Sequence, residues 1–181
     1  MALFDKQTLR TNARSRFGSY TNQSMLKLVE NHFSAYSSTK SYDVFLSHAY
    51  LDADLIEELY EEMKSHGLTV YVDWIEDKQL DRGKVTPETA NIIRQRMRNC
   101  KSLIYAFSDN SQNSKWMPWE LGYFDALKGK VAVLPIAEAP TGDSFKGSEF
   151  LGLYPYIVNG AQLWVHTSQS AYEGFNTWRA R

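Results

Sequence analysis

The chain has 181 residues, a formal net charge of -1, 43% hydrophobic and 23% charged residues, which is typical of a soluble globular protein. No apolar run is long enough to span a membrane, and the first residues lack the apolar core of a secretory signal. The single cysteine, Cys100, excludes an intrachain disulfide, and the four histidines show no zinc-ligand spacing. We therefore expect a cytoplasmic protein with no metal site.

The first 40 residues are basic, with six Lys or Arg and two Asp or Glu, so they carry +4 and the rest -5. These Lys and Arg residues are spread along the segment and no binding motif accompanies them, so we expect no nucleic acid and no membrane partner. Residues 1–21 are polar and show no pattern. Residues 22–36 place Met25, Val29 and Phe33 on one face of an amphipathic helix. A polar joint follows, so we predict a helical extension over 1–40 and the main domain over 41–181.

The main domain begins with a short apolar run at 42–46, typical of a buried strand, and a loop follows from Ser47. The next helix has an apolar face between Leu55 and Met63, and its glutamates 57, 58, 61 and 62 are predicted to face outward. Residues 68–74, rich in Val and Tyr, predict a second strand.

The second half of the domain repeats this alternation. Thr86 and Pro87 predict the start of a helix that runs to about Asn99, and strands are predicted over 102–108 and 131–136. Between these strands lies a predicted helix, Ser114 to Gly129, with Ser114 as its cap. In the tail, 156–159 and 162–166 favour short strands. Residues 171–178 favour a final helix with Tyr172, Phe175 and Trp178 packed inward.

Strands that alternate with helices predict an α/β fold with a parallel sheet covered on both faces. In such sheets ligands bind beyond the carboxyl ends of the strands. Trp116 and Glu120 lie four residues apart, so they share one face of the helix after the third strand. An isolated Trp-x-x-x-Glu suits a core tryptophan beside a solvated glutamate. Its place at this edge of the sheet favours a carboxylate that faces the crevice.

Three segments form a combination that is specific, although each one alone is weak. They are YDVFLSH at 42–48 before an acidic helix, VYVD at 70–73 before a charged loop that ends near Gly83, and Trp116-x-x-x-Glu120 before a Val-rich strand with Pro135. With this combination the chain resembles the TIR domain family over about residues 41–166. Among its members, the bacterial ones are the most similar. The resemblance implies a three-layer, flavodoxin-like α/β fold with a central parallel sheet flanked by helices.

Many bacterial TIR domains cleave NAD+ at the nicotinamide–ribose bond. The resemblance therefore implies an NAD+ glycohydrolase or ADP-ribosyl cyclase with NAD+ as substrate, no separate cofactor, and Glu120 as the catalytic residue. It also implies self-association and a product that signals to a separate effector in an anti-phage defence system such as Thoeris. The expected nucleotide-binding residues are Phe45, Ser47, His48, Ala49, Tyr50, Asp73, Trp74, Asp81 and Trp116.

The chemistry of this bond suits a single carboxylate. The nicotinamide of NAD+ is already a cationic leaving group, and the difficulty is the oxocarbenium-like charge on the ribose, which a carboxylate stabilises. The base and the sugar need an aromatic platform, for which Tyr50, Trp74, Trp116 and Trp119 are candidates. No glycine-rich phosphate loop is present, so the chain resembles neither a P-loop enzyme nor a dehydrogenase.

Several alternatives stay open. The chain could be a non-catalytic TIR interaction module, although an adaptor needs no carboxylate in a crevice. Ser47-His48 suits a turn pair better than a nucleophilic dyad, because no third orienting carboxylate is evident. Asp73 suits a turn cap and a ribose contact equally. A phosphoacceptor receiver domain is disfavoured, since the paired acidic residues after the first strand are missing.

Overall fold

A computed structural model of the chain describes residues 1–17, 40–76, 85–138, 142–147 and 149–181, except for the side chains of Trp74 and Glu76. Within these ranges the strands form one eight-stranded sheet. The strands are β1 (Phe4–Asp5), β2 (Tyr42–Ser47), β3 (Val70–Tyr71), β4 (Cys100–Phe107), β5 (Val131–Ala137), β6 (Tyr156–Val158), β7 (Trp164–His166) and β8 (Tyr172–Gly174).

Helices cover the sheet and connect its parallel strands. The described ones are α1 (Lys6–Phe17), α2 (Ala53–Ser65), α3 (Asp73–Glu76), α4 (Pro87–Arg98), α5 (Met117–Lys128) and α6 (Phe175–Ala180). The predicted start of α4 is confirmed, because Thr86 Oγ1 accepts a hydrogen bond from the Thr89 amide at 3.2 Å. The predicted end of α5 is confirmed as well, since Gly129 adopts the left-handed conformation with φ 61°.

The strand order is β3-β2-β4-β5-β6-β7-β8, with β1 also paired to β5. The pairs from β3 to β6 are parallel, and Val44 lies opposite Val70 between β2 and β3. The predicted parallel core is therefore confirmed. The sheet extends beyond this parallel core, because β1 joins β5 in parallel and the pairs β6–β7 and β7–β8 are antiparallel.

Side chains of one strand alternate between two separate cores, as expected for a three-layer fold. Val44 and Leu46 of β2 point into the core that α1, α2 and α6 cover. Phe45, between them, points into the core that α4 and α5 cover. The predicted covering of both faces is confirmed. None of the helices in the described part of the chain is long and apolar enough to cross a membrane.

The prediction that residues 1–21 carry no structural pattern is wrong for the first 17. Phe4, Leu9 and Ala13 are buried, and Phe4 pairs with Ile136 near the carboxyl end of β5. A two-residue strand and a helix with few apolar positions leave no periodic signal in the sequence. The predicted helix over 22–36 lies outside the described residues, and the boundary at residue 40 stays a prediction.

The prediction that all four glutamates of α2 face outward is wrong for Glu57 and Glu58, each 3% exposed. Helix α1 packs on this side of α2, and its Arg16 lies 3.5 Å from Glu58 and 3.6 Å from Glu61. Burial, and then the Glu61 charge, raise the pKa of Glu57 from its ordinary 4.5 to about 7.

Glu57→Gln is expected to stabilise the protein at pH 8 by about 1 to 2 kcal/mol, with allowance for screening by solvent. Because its pKa is raised, native Glu57 keeps a proton that the unfolded chain releases. Its contribution to stability is present below pH 4.5 and is lost as the pH rises through about 7. Urea unfolding at pH 5 and pH 8 measures the effect. A gain equal at both pH values would contradict this assignment.

The tail departs from the prediction at one end of its last helix. Residues 172–174 form strand β8, so α6 starts at Phe175 and Tyr172 is exposed rather than packed inward. Phe175 and Trp178 are buried as predicted. Strands of three residues are too short for an alternating pattern to show, so tertiary pairing decides this segment.

Candidate active site

The candidate site lies where three parallel strands end at one edge of the sheet. Ser47 is the last residue of β2, and Ser108 directly follows β4. Asp73 comes two residues after β3 and begins the short helix α3, so the prediction that a strand extends through it is wrong. Parallel strands place their carboxyl ends together, and the three loops therefore meet at this edge.

Glu120 reaches this edge from the first turn of α5. The Glu120 amide donates to the Trp116 carbonyl at 2.8 Å, so the first turn is regular despite Pro118, and Trp116 and Glu120 share one helix face as predicted. The helix starts at Met117, later than predicted, although Ser114 Oγ still accepts from the Met117 amide at 3.2 Å.

Ser47 and Glu120 are in direct contact. The Ser47 hydroxyl donates to Glu120 Oε2 at 2.6 Å, and both residues are 0% exposed. This bond confirms that Glu120 faces the loop after the first core strand. Because solvent does not reach the carboxylate in this structure, a substrate has to displace the groups that cover it.

His48 links the loop after β2 to the start of α3. Its Nδ1 lies 2.9 Å from the Leu46 carbonyl, and its Nε2 lies 3.5 Å from Asp73 Oδ1. A carbonyl oxygen only accepts, so Nδ1 carries a proton. Both side chains are buried. Two of the predicted site residues are therefore neighbours at the carboxyl ends of β2 and β3.

Sequence reasoning missed a buried polar network that joins the loops after β2 and β4. Asp52 directly precedes α2, but its side chain makes no capping bond. Its carboxylate accepts hydrogen bonds from the Ser108 hydroxyl and from Asn110 Nδ2, the latter at 2.6 Å. The only sequence signal of this network is an aspartate just after a strand-exit loop.

A buried lysine side chain contacts the loop that follows β4. Lys6, at the start of α1, bonds to Glu138 and, at 3.0 Å, to Asp109. These two bonds, Glu138 first, raise the pKa of Lys6 above its ordinary value. The N-terminal segment therefore helps to fix the loop that follows β4.

Aromatic side chains surround the start of α5. Trp116 is 7% exposed and meets Trp119 edge to face, with ring centres 5.5 Å apart. Trp119 in turn stacks on Tyr123 at 5.8 Å, and the Arg94 guanidinium lies over Trp119 at 5.2 Å. Trp119 thus stacks on Tyr123, whereas Trp116 lies one helical turn before Glu120, whose amide bonds to its carbonyl.

The remaining predicted site residues have different surroundings. Phe45 is buried and stacks on Tyr71 with ring centres 5.3 Å apart, and Ala49 is buried as well. Tyr50, in the loop after β2, is 66% exposed. The Trp74 side chain and Asp81 lie outside the described residues. Contact with a nucleotide stays a prediction for all of them. Within the described ranges no three His, Cys, Asp or Glu side chains are grouped to hold a metal ion.

The order β3-β2-β4-β5-β6 of the parallel strands is that of the flavodoxin-like class of α/β folds. The sequence profile of the TIR domain family matches residues 44–168. The chain belongs to this family.

Two curated relatives are similar in sequence. A protein of Bacillus cereus strain MSX-D12, assigned as a 3' cyclic ADP-D-ribose synthase, ThsB', is 48% identical over 98% of both chains. A Cytobacillus dafuensis protein, assigned as a cyclic ADP-D-ribose synthase, TIR2, is 28% identical over 66% of this chain and 31% of its own length. Among solved structures, the TIR domain of the Toll-related receptor TRR-2 from Hydra magnipapillata is 18% identical, with a TM-score of 0.40 over 58% of this chain and 77% of that domain.

Proposed function

We propose that the protein cleaves the nicotinamide–ribose bond of NAD+ and closes the ADP-ribose part into a cyclic isomer. The observation that carries this proposal is Glu120, held by Ser47 at the carboxyl edge of the sheet. The relative that matches along 98% of both chains, assigned as a 3' cyclic ADP-D-ribose synthase, supports the same reaction and favours the 3' isomer.

In the proposed reaction the C1'–N bond breaks and its electron pair leaves with neutral nicotinamide. The positive charge that develops on the ribose is stabilised by the Glu120 carboxylate, as in glycoside hydrolysis. A hydroxyl oxygen of the same molecule, in place of water, then bonds to C1' and loses its proton. NAD+ is the substrate and no further cofactor takes part, because the nicotinamide ring already leaves as a neutral base.

The wider role follows from the product. We propose that the cyclic nucleotide is a signal in bacterial defence against phage, that a separate effector protein detects it, and that the enzyme works in the cytoplasm. Self-association of TIR domains is the proposed route to the active state. It agrees with the burial of Glu120, since the carboxylate has to be uncovered before NAD+ reaches it.

Incubation of the concentrated protein with NAD+, followed by chromatography and mass spectrometry, tests this function. The expected products are nicotinamide and a nucleotide lighter than ADP-ribose by one water. ADP-ribose as the sole nucleotide product would indicate that the protein hydrolyses NAD+ and does not cyclise it. Intact NAD+ at protein concentrations where the chain has assembled would instead favour a non-catalytic interaction module.

A further inference from the structure

The backbone of Ser47 is fixed by the pairing of its strand. It closes strand β2 and lies opposite Tyr105 in the parallel pairing with β4. It follows Phe45 by two residues, so its side chain points to the same face of the sheet, where α5 packs. The hydroxyl therefore approaches Glu120 from a fixed backbone.

The bond between the two residues has the features of a strong hydrogen bond. Its length of 2.6 Å falls within the range for a hydroxyl that donates to a charged carboxylate. Both residues are 0% exposed, so bulk water does not compete for either oxygen. Such a donor restricts the rotation of the buried carboxylate that accepts the bond.

We propose that Ser47 is a positioning residue, which orients the Glu120 carboxylate for the developing ribosyl cation. This inference rests on the proposed NAD+ cleavage. It gives Ser47 a role through Glu120, distinct from the nucleotide contact expected from the sequence. Electrostatic stabilisation depends on where the charged group is held, so loss of the donor lowers the rate of the chemical step.

The variants Ser47→Thr and Ser47→Val form a matched pair, because they have nearly the same shape and only threonine keeps the hydroxyl. We expect Ser47→Val to lower kcat for nicotinamide release by roughly ten- to a hundredfold with KM within about twofold, and Ser47→Thr to recover most of the loss. Ser47→Ala, which needs no extra room, is expected to behave as Ser47→Val does.

Ser102 supplies a control for the loss of a buried hydroxyl. It is also 0% exposed, and its Oγ donates to the Asp43 carbonyl at 2.7 Å near the opposite end of β4. Ser102→Ala is expected to keep the parent kcat. Thermal melting of every variant separates loss of fold from loss of function.

A Ser47→Val protein with the parent kcat, or equal losses in the Val and Thr variants, would overturn the inference. Crystal structures of the pair give a readout that does not depend on activity. Glu120 is expected to keep its orientation in Ser47→Thr and to turn away in Ser47→Val. If the parent releases no nicotinamide, the proposed function fails, while an unchanged Glu120 in both crystals would refute the role of Ser47 separately.

Discussion

Glu120→Gln is expected to slow nicotinamide release from NAD+ by a hundredfold or more, the scale measured for loss of one well-placed electrostatic group. This corresponds to about 3 kcal/mol on the barrier. Glutamine keeps the size of the side chain and still accepts the bond from Ser47, but it carries no charge to stabilise the ribosyl cation. Initial rates at saturating NAD+ give the effect.

Glu57→Gln is the matched control for this variant. It removes another buried carboxylate, which lies on α2 and is affected by the charge of Arg16 in the N-terminal helix. Its rate should equal that of the parent. A Glu120→Gln protein that melts normally and turns over NAD+ at the parent rate would refute the catalytic assignment and favour the interaction module.

Trp116→Ala should lower the free energy of unfolding by about 3 to 5 kcal/mol, as large-to-small changes of buried aromatics do. The indole is 7% exposed, belongs to the core under α4 and α5, and packs edge to face on Trp119. Its removal leaves a cavity in this core. Urea unfolding at equilibrium measures the loss.

Trp178→Ala provides the comparison for the role of Trp116 in binding. Trp178 is similarly buried, at 6% exposed, but lies in the core on the other face of the sheet. The two variants should lose similar stability, and only Trp116→Ala should also weaken NAD+ binding, measured in the presence of Glu120→Gln to prevent turnover. Equal NAD+ affinities in the two variants would rule out a binding role for Trp116.

The central helices and strands could be predicted because their residues are periodic and buried on one side. Leu55, Leu59 and Met63 recur at helical spacing in α2, and all are buried. Thr86 and Gly129 mark helix ends through local chemistry that does not depend on the rest of the fold. Such segments carry their own structural information.

The segments that were missed depend on distant partners. Phe4 joins the sheet through Ile136, more than a hundred residues away, and Arg16 of α1 lies beside the buried Glu58. No local pattern encodes such a contact, and burial of a charged residue runs against the usual preference. Tyr172 likewise enters a strand because it pairs with His166.

The candidate site was predictable in outline because the parallel topology brings the strand ends together. That Glu120 and Ser47 meet follows from the order of strands and helices. The Asp52 network was not predictable, since its bonds to Ser108 and Asn110 join two loops whose relative placement only the folded chain shows. Sequence spacing says nothing about such pairs.

The decisive measurement is the yield of nicotinamide and of cyclic nucleotide from NAD+, followed together in the parent and in Glu120→Gln under conditions that assemble the chain. The parent should release the two products in equal amounts, and the variant should release almost none of either. NAD+ left intact by the assembled parent, or equal yields from the two proteins, would contradict cleavage by Glu120.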